Sequence, residues 1–217
     1  MEDKSDINYL NLKFLILGES SIGKRPLLLR YYNKKNEQEY KDNFSSIGLD
    51  IKTKKLMINN TDVNIVIYDT AGQEKFNCLP KSFFKGADGI LIGFDLTNPN
   101  TLWKVDSWIK QIEEKKEKDL SMVLFGTKCD DKENITVNKE DIKKIQEKYN
   151  IKYFETSAKD DTNVNLLFDY LIKTTLKTKG LLNRLGLSGN TPFDEIIITE
   201  KEEEKIDNKK SKKCLVF

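Results

Sequence analysis

The 217-residue chain carries 37 Lys and Arg against 35 Asp and Glu, a net charge of +2, so bulk electrostatics predicts no nucleic-acid partner. Histidine is absent, which excludes Ser-His-Asp and Cys-His mechanisms and every zinc site that uses imidazole. The three cysteines, at 78, 129 and 214, are too scattered for a disulfide framework or a metal cluster, and the chain reads as intracellular and reduced.

The N-terminal stretch MEDKSDINYLNLK is charged and lacks the apolar centre of a signal peptide. No apolar run approaches the roughly 18 residues needed to span a bilayer. LKFLILG (12–18) is almost continuously apolar and ends in glycine, which predicts a strand buried on both faces. Directly after it come Gly18, Glu19, Ser20, Ser21, Ile22, Gly23 and Lys24, the Gly-x₄-Gly-Lys spacing of a phosphate-binding loop. In such a loop backbone N–H groups point at phosphate oxygens, and the N-terminus of the next helix adds positive potential. PLLLRYY (26–32) can start that helix. The Ser or Thr that usually follows the lysine and holds Mg²⁺ is missing; Arg25 and Pro26 stand there instead.

Residues 47–58 and 63–69 predict two strands around the turn Asn59-Asn60-Thr61-Asp62. IYDTAGQEKF (67–76) sets Asp69 at a strand end with Gly72 and Gln73 just beyond. An aspartate there can hold Mg²⁺, a glycine N–H can meet a terminal phosphate, and a glutamine can orient water. Residues 89–96, 121–127 and 152–156 predict three more buried strands. Helical spacing falls between them at Leu102, Val105, Ile109 and Ile112, at Ile142, Ile145 and Tyr149, and at Val164, Leu167, Phe168, Leu171 and Ile172. Strands alternating with helices mean a mostly parallel sheet covered on both faces, with ligands at the carboxyl ends of strands.

Two short motifs sit at such ends. TKCD (127–130) offers Asp130, which can accept from the N1–H and exocyclic amine of guanine. Adenine lacks that donor pair and would leave the carboxylate unpaired, at a cost of about 1–3 kcal/mol. ETSAK (155–159) places a backbone N–H near Ala158 where it could meet the guanine carbonyl.

The helical and strand patterns stop near residue 178, and residues 179–217 read as a flexible tail, with transient order around 181–187. The chain ends Cys214-Leu215-Val216-Phe217, a prenylation pattern whose final Phe favours geranylgeranyl. Lys209, Lys210, Lys212 and Lys213 lie just upstream and would add about 1 kcal/mol each near an anionic leaflet. EKEEE (200–204) is acidic and would be held off that surface.

Taken together, the loop at 18–24, SSIGLDIK (45–52), DTAGQEKF (69–76), LPKSFFKGADGILIGFDLTN (79–98), TKCD and ETSAK resemble the Ras superfamily of small GTPases, and within it the Rab branch. The resemblance covers about residues 12–176 and implies a three-layer α/β P-loop fold with a six-stranded, mostly parallel sheet. It implies a G domain over 10–178, GTP and GDP binding with Mg²⁺, slow hydrolysis, and a switch that serves vesicle trafficking. Gly18, Gly23 and Lys24 would then bind phosphate, Ser46 and Asp69 would hold the metal, Gly72 would sense the γ-phosphate and Gln73 would position water. Thr127, Lys128, Asp130, Ser157, Ala158 and Lys159 would surround guanine, with Thr127 replacing the commoner Asn. The family also implies effectors reading 43–51 and 69–84, an exchange factor, a GTPase-activating protein, prenyl-delivery proteins, and a lipid anchor on the cytoplasmic face of a membrane through Cys214 and 209–213.

Arg25-Pro26 departs from the family. A guanidinium cannot ligate a cation, although it can pair with phosphate oxygens itself. Pro26 removes a backbone N–H used on phosphate and biases Arg25 away from helical angles. Two readings stay open at this point, a working switch with an altered metal site and a membrane-tethered pseudo-GTPase.

Overall fold

A computed structural model describes residues 10–32, 50–69, 80–116 and 120–200. Its strands are β1 (Leu10–Leu17), β2 (Asp50–Ile58), β3 (Thr61–Asp69), β4 (Gly89–Asp95), β5 (Ser121–Thr127), β6 (Lys152–Glu155) and β7 (Ile198–Glu200). Its α-helices are α1 (Lys24–Tyr32), α2 (Lys81–Phe84), α3 (Pro99–Lys115), α4 (Lys139–Tyr149) and α5 (Val164–Thr178), followed by a 3₁₀ turn over Leu182–Leu185.

All strands form one sheet in the order β6-β5-β4-β1-β3-β2-β7. β1, β3, β4, β5 and β6 are parallel, and β2 runs antiparallel to β3 and to β7. The antiparallel hairpin is made by a two-residue turn. Asn59 (φ 45°) and Asn60 (φ 63°) both take left-handed angles, which asparagine tolerates, so Ile58 pairs directly with Thr61.

Alternation along the strands divides the core between the two faces of the sheet. Leu12, Phe14 and Ile16 of β1 face α1 and α5, where Leu27, Tyr31, Leu167, Phe168 and Leu171 meet them. Leu15 and Leu17 point the other way, against Val105, Ile109 and Ile112 of α3 and Ile142 of α4. The central strand β4 is buried along its whole length, as its near-continuous apolar run requires. Asn98 and Asn138 cap α3 and α4 by accepting from Asn100 N (3.2 Å) and Glu140 N (2.9 Å).

Two features of the fold differ from the sequence-based expectation. The sheet has seven strands rather than six, because β7 pairs Ile198–Glu200 against Leu56–Ile58 of β2. The segment read as flexible from residue 179 is structured as far as Glu200: Leu182, Leu185 and Ile196 are buried in the α1–α5 side of the core. Phe193 stacks on Tyr170 at 5.5 Å, and Lys173 Nζ donates to its carbonyl at 2.7 Å. These anchors fall at irregular intervals, so no 2.0 or 3.6 period marks them in the sequence. Residues 201–217 lie outside the described residues.

Candidate functional site

The parallel strands deliver their carboxyl ends to one edge of the sheet, and most of the predicted site residues stand there. Leu17 of β1 leads into the 18–23 loop. Gly18 takes φ +143°, and a Cβ on it would lie 2.4 Å from Gly93 O and 2.5 Å from Ile22 Cδ1, so only glycine fits this crossing. Ser21 (φ 65°) and Gly23 (φ 101°) complete the reversal. Ile22 turns its side chain inward and is fully buried, whereas Ser20 and Ser21 are exposed and Glu19 is half-buried.

Lys24, with 5% exposure, bends back over the loop. Its Nζ donates to Gly18 O and Glu19 O, both at 2.8 Å. The loop is therefore closed around its own ammonium group, with charge-assisted bonds of roughly 1.5–3 kcal/mol each.

α1 begins at Lys24, and Leu27 N donates to Gly23 O at 3.1 Å. Arg25 lies inside this helix, contrary to the expectation that Pro26 would bias it out of helical angles. The reason is position: the first turn's N–H groups have no intrahelical acceptor, so the proline ring sacrifices no helical bond there.

The loops after β5 and β6 are tied to the phosphate-type loop and to each other. Thr127 Oγ1 lies 2.5 Å from Ile22 O and 3.2 Å from Phe94 O, and its one proton serves the shorter contact. The hydroxyl thus spans from β5 to the 18–23 loop without an amide side chain. Lys128 is left-handed (φ 61°), and its Nζ pairs with Asp95 Oδ2 at 2.5 Å. Cys129 N donates to Thr156 O, and Thr156 N to Gly126 O, which closes the two loop bases together. Burial, with Asp160 and Asp130 nearby, pushes the Cys129 thiol up, away from thiolate chemistry.

Asp130 is largely covered, with Lys159 Nζ 3.7 Å from its Oδ2. Lys159 is 83% exposed, so this ion pair contributes little. Fully buried Ser157 holds the next turn: its Oγ accepts from Lys159 N (3.1 Å) and Asp160 N (3.3 Å). Thr162 in turn bonds Asp160 and keeps that carboxyl below its ordinary range.

One residue of this arrangement was missed in the sequence. Arg30, on α1, donates from Nε to Ala158 O (2.7 Å) and from Nη2 to Lys159 O (3.0 Å). No motif marks it, because its partners are backbone carbonyls well over a hundred positions away.

On the metal side the structure offers less. Asp69 ends β3 opposite Ile16 and is 1% exposed. Arg25, half-buried, occupies the position where a hydroxyl ligand is expected. Among the described residues no group of three or more Cys, Asp and Glu side chains comes together to hold a metal. The positive φ angles of Gly18, Ser21 and Gly23 and the Lys24 ammonium fit a polyphosphate, but the donor set at position 25 does not fit Mg²⁺. Ser46, Gly72, Gln73, Cys214, segment 43–49 and segment 70–79 lie outside the described residues.

The comparisons with known proteins follow the same frame. The family model described as "Ras family" matches residues 13–177. The chain is 36% identical over 173 residues to Ras-related protein Rab-8B of Pongo abelii, covering 79% of this chain and 80% of that one. It is 31% identical over 202 residues to Ras-related protein Rab-13 of Canis lupus familiaris, covering 93% and 94%. Against Ras-related protein Rab-11B of Dictyostelium discoideum it is 34% identical over 183 residues, covering 82% and 81%. With a family match spanning both tied loops and relatives matched over most of their length, the chain belongs to the Ras family of small GTPases, in its Rab branch.

Proposed function

We propose that the chain is a guanine-nucleotide switch of the Rab type, working in vesicle trafficking, whose phosphate site relies less on Mg²⁺ than the family's usual site does. The observation that carries this reading is the tied pair of loops, 127–130 and 157–159, held against the 18–23 loop by Thr127 and against α1 by Arg30. In this reading Asp130 meets the base, and the loop N–H groups and Lys24 meet phosphate. Asp130 accepts from guanine's two donors, and the N–H near Ala158 meets its carbonyl. Arg25 supplies fixed positive charge at the start of α1 in place of a hydroxyl ligand. Hydrolysis rests on positioning, with Gln73 orienting water in line with the γ-phosphate. Substitution of Gln73 by Leu should slow GTP turnover without weakening GTP binding.

Membership of the Rab branch brings to the chain, in this reading, a role in vesicle trafficking, effectors at 43–51 and 69–84, an exchange factor and a GTPase-activating protein. Geranylgeranyl on Cys214 and the lysines at 209–213 would hold it on the cytoplasmic face of a membrane. Among the described residues no helix is long and apolar enough to cross one.

Arg25-Pro26 also supports a second reading, a pseudo-GTPase that acts only as a tethered interaction module. Titration with fluorescent GDP, GTP and ATP separates the two. The switch reading expects guanine nucleotides to bind at micromolar concentration or below, with ATP about 100-fold weaker. Absence of guanine binding in that range leaves the pseudo-GTPase.

A further inference from the structure

The carboxyl end of β4 carries a buried charge beside the tied loops. Asp95 is the last residue of that strand, and its side chain is 8% exposed. A carboxylate is costly to bury unless donors surround it. Thr97 supplies two of them to Oδ1, its N at 2.9 Å and its Oγ1 at 2.7 Å. The backbone is fixed as well. Asp95 N donates to Thr101 Oγ1 at 2.9 Å, and that hydroxyl donates in turn to Asn98 O at 2.7 Å. The carboxylate is thus held from the start of α3, with Oδ2 left for a partner across the strand ends.

That partner is the Lys128 ammonium, 2.5 Å away. Asp95 stands opposite Thr127 in the β4–β5 register, and Leu96 N donates to Thr127 O at 3.2 Å, so the two strand ends are locked side by side where the pair forms. Lys128 comes one residue later, at φ 61°, a left-handed angle uncommon for a residue with a side chain. A half-exposed lysine ordinarily spreads its four-carbon stem over many rotamers. With the ammonium pinned, the stem becomes a fixed apolar edge of the loop. That loop carries Thr127, bonded to the 18–23 loop, on one side of Lys128 and Asp130 on the other.

We propose that Asp95 is a positioning residue for the nucleotide: by pinning the Lys128 ammonium it sets the lysine stem, before any ligand arrives, where it packs on the base. The inference rests on the guanine-nucleotide reading and adds to it a residue of β4 that touches no ligand. Ordering the stem in advance removes that cost from binding, and its loss shows mainly in release.

Release of fluorescent GDP from the full-length protein, chased with unlabelled GDP, tests this. Asp95→Asn keeps the size and an oxygen for Thr97 but loses the charge that holds Lys128. It should release GDP about tenfold faster, with association within about twofold of the natural rate. Lys128→Met keeps an unbranched stem without the ammonium and should speed release by a similar factor. The double variant separates positioning from a merely structural role: it should release GDP no more than about twofold faster than Lys128→Met alone. Factors that multiply in the double variant would overturn the proposal, because Asp95 would then act independently of Lys128. A natural release rate in Lys128→Met would overturn it too. That variant alters a half-exposed side chain, so the test stands even where Asp95→Asn fails to fold. A natural chain that binds no GDP would overturn the guanine-nucleotide reading itself, and this inference with it.

Discussion

The two halves of the site depart from the family pattern to different degrees. On the base side, Thr127 stands where Asn is commoner, its hydroxyl bonds Ile22 O, and Asp130 and Ser157 match the family's residue types. On the metal side, a hydroxyl has become the Arg25 guanidinium, a change from ligand to competing cation. The first substitution leaves a hydroxyl that bonds the 18–23 loop. The second reverses a charge requirement. Under the proposed function base recognition and metal dependence are separable, and a variant on one side should leave the other intact.

The largest effect should come from Gly18→Ala, which breaks the crossing on which both halves depend. The added Cβ falls 2.4 Å from a backbone oxygen at φ +143°, a strain of about 3 kcal/mol or more, readable as a lower thermal midpoint. Asp130→Asn comes next and acts on the base side alone. It should weaken GDP and GTP about tenfold to a hundredfold in a fluorescence titration while leaving the fold unchanged.

Arg30→Leu removes two bonds to Ala158 and Lys159 carbonyls. It should raise nucleotide off-rates about tenfold, and faster amide exchange confined to 157–162 would show that the loop, not α1, has loosened. The smallest effect lies away from the site and serves as a control. Asp106 on α3 is bonded by Lys110, Lys148 and Tyr149, which hold its carboxyl well below the usual carboxylate range. A lowered folded pKa gives stability that is full above the unfolded value near ~4 and is lost as pH falls through the folded one. Asp106→Asn should flatten the acid side of the thermal midpoint against pH and leave nucleotide affinity unaltered.

The sheet was legible because each central strand is a short apolar run buried on both faces, and because the site motifs sit at strand ends. Spacing and chemistry singled out Gly18, Lys24 and Asp130, and the structure sets them just after β1, at the start of α1 and just after β5. They did not single out Arg30, since a side chain that grips distant carbonyls leaves no sequence mark. β7 was hidden, and the Leu182–Leu185 turn showed only as transient order around 181–187, for a different reason. Their stability comes from tertiary burial of Leu182, Leu185 and Ile196, not from any repeating pattern. Pro26 misled in the opposite direction, because its local bias yields at the first turn of a helix.

The central claim is that the metal half has changed while the base half has not. It is tested most directly by titrating fluorescent GDP into the full-length protein with Mg²⁺ and with EDTA, beside an Arg25→Ser/Pro26→Ser variant. The natural protein should bind GDP with an affinity that EDTA leaves within about threefold, and the variant should lose about tenfold or more when the metal is removed. A natural protein that loses affinity in EDTA as steeply as the variant does would contradict the account.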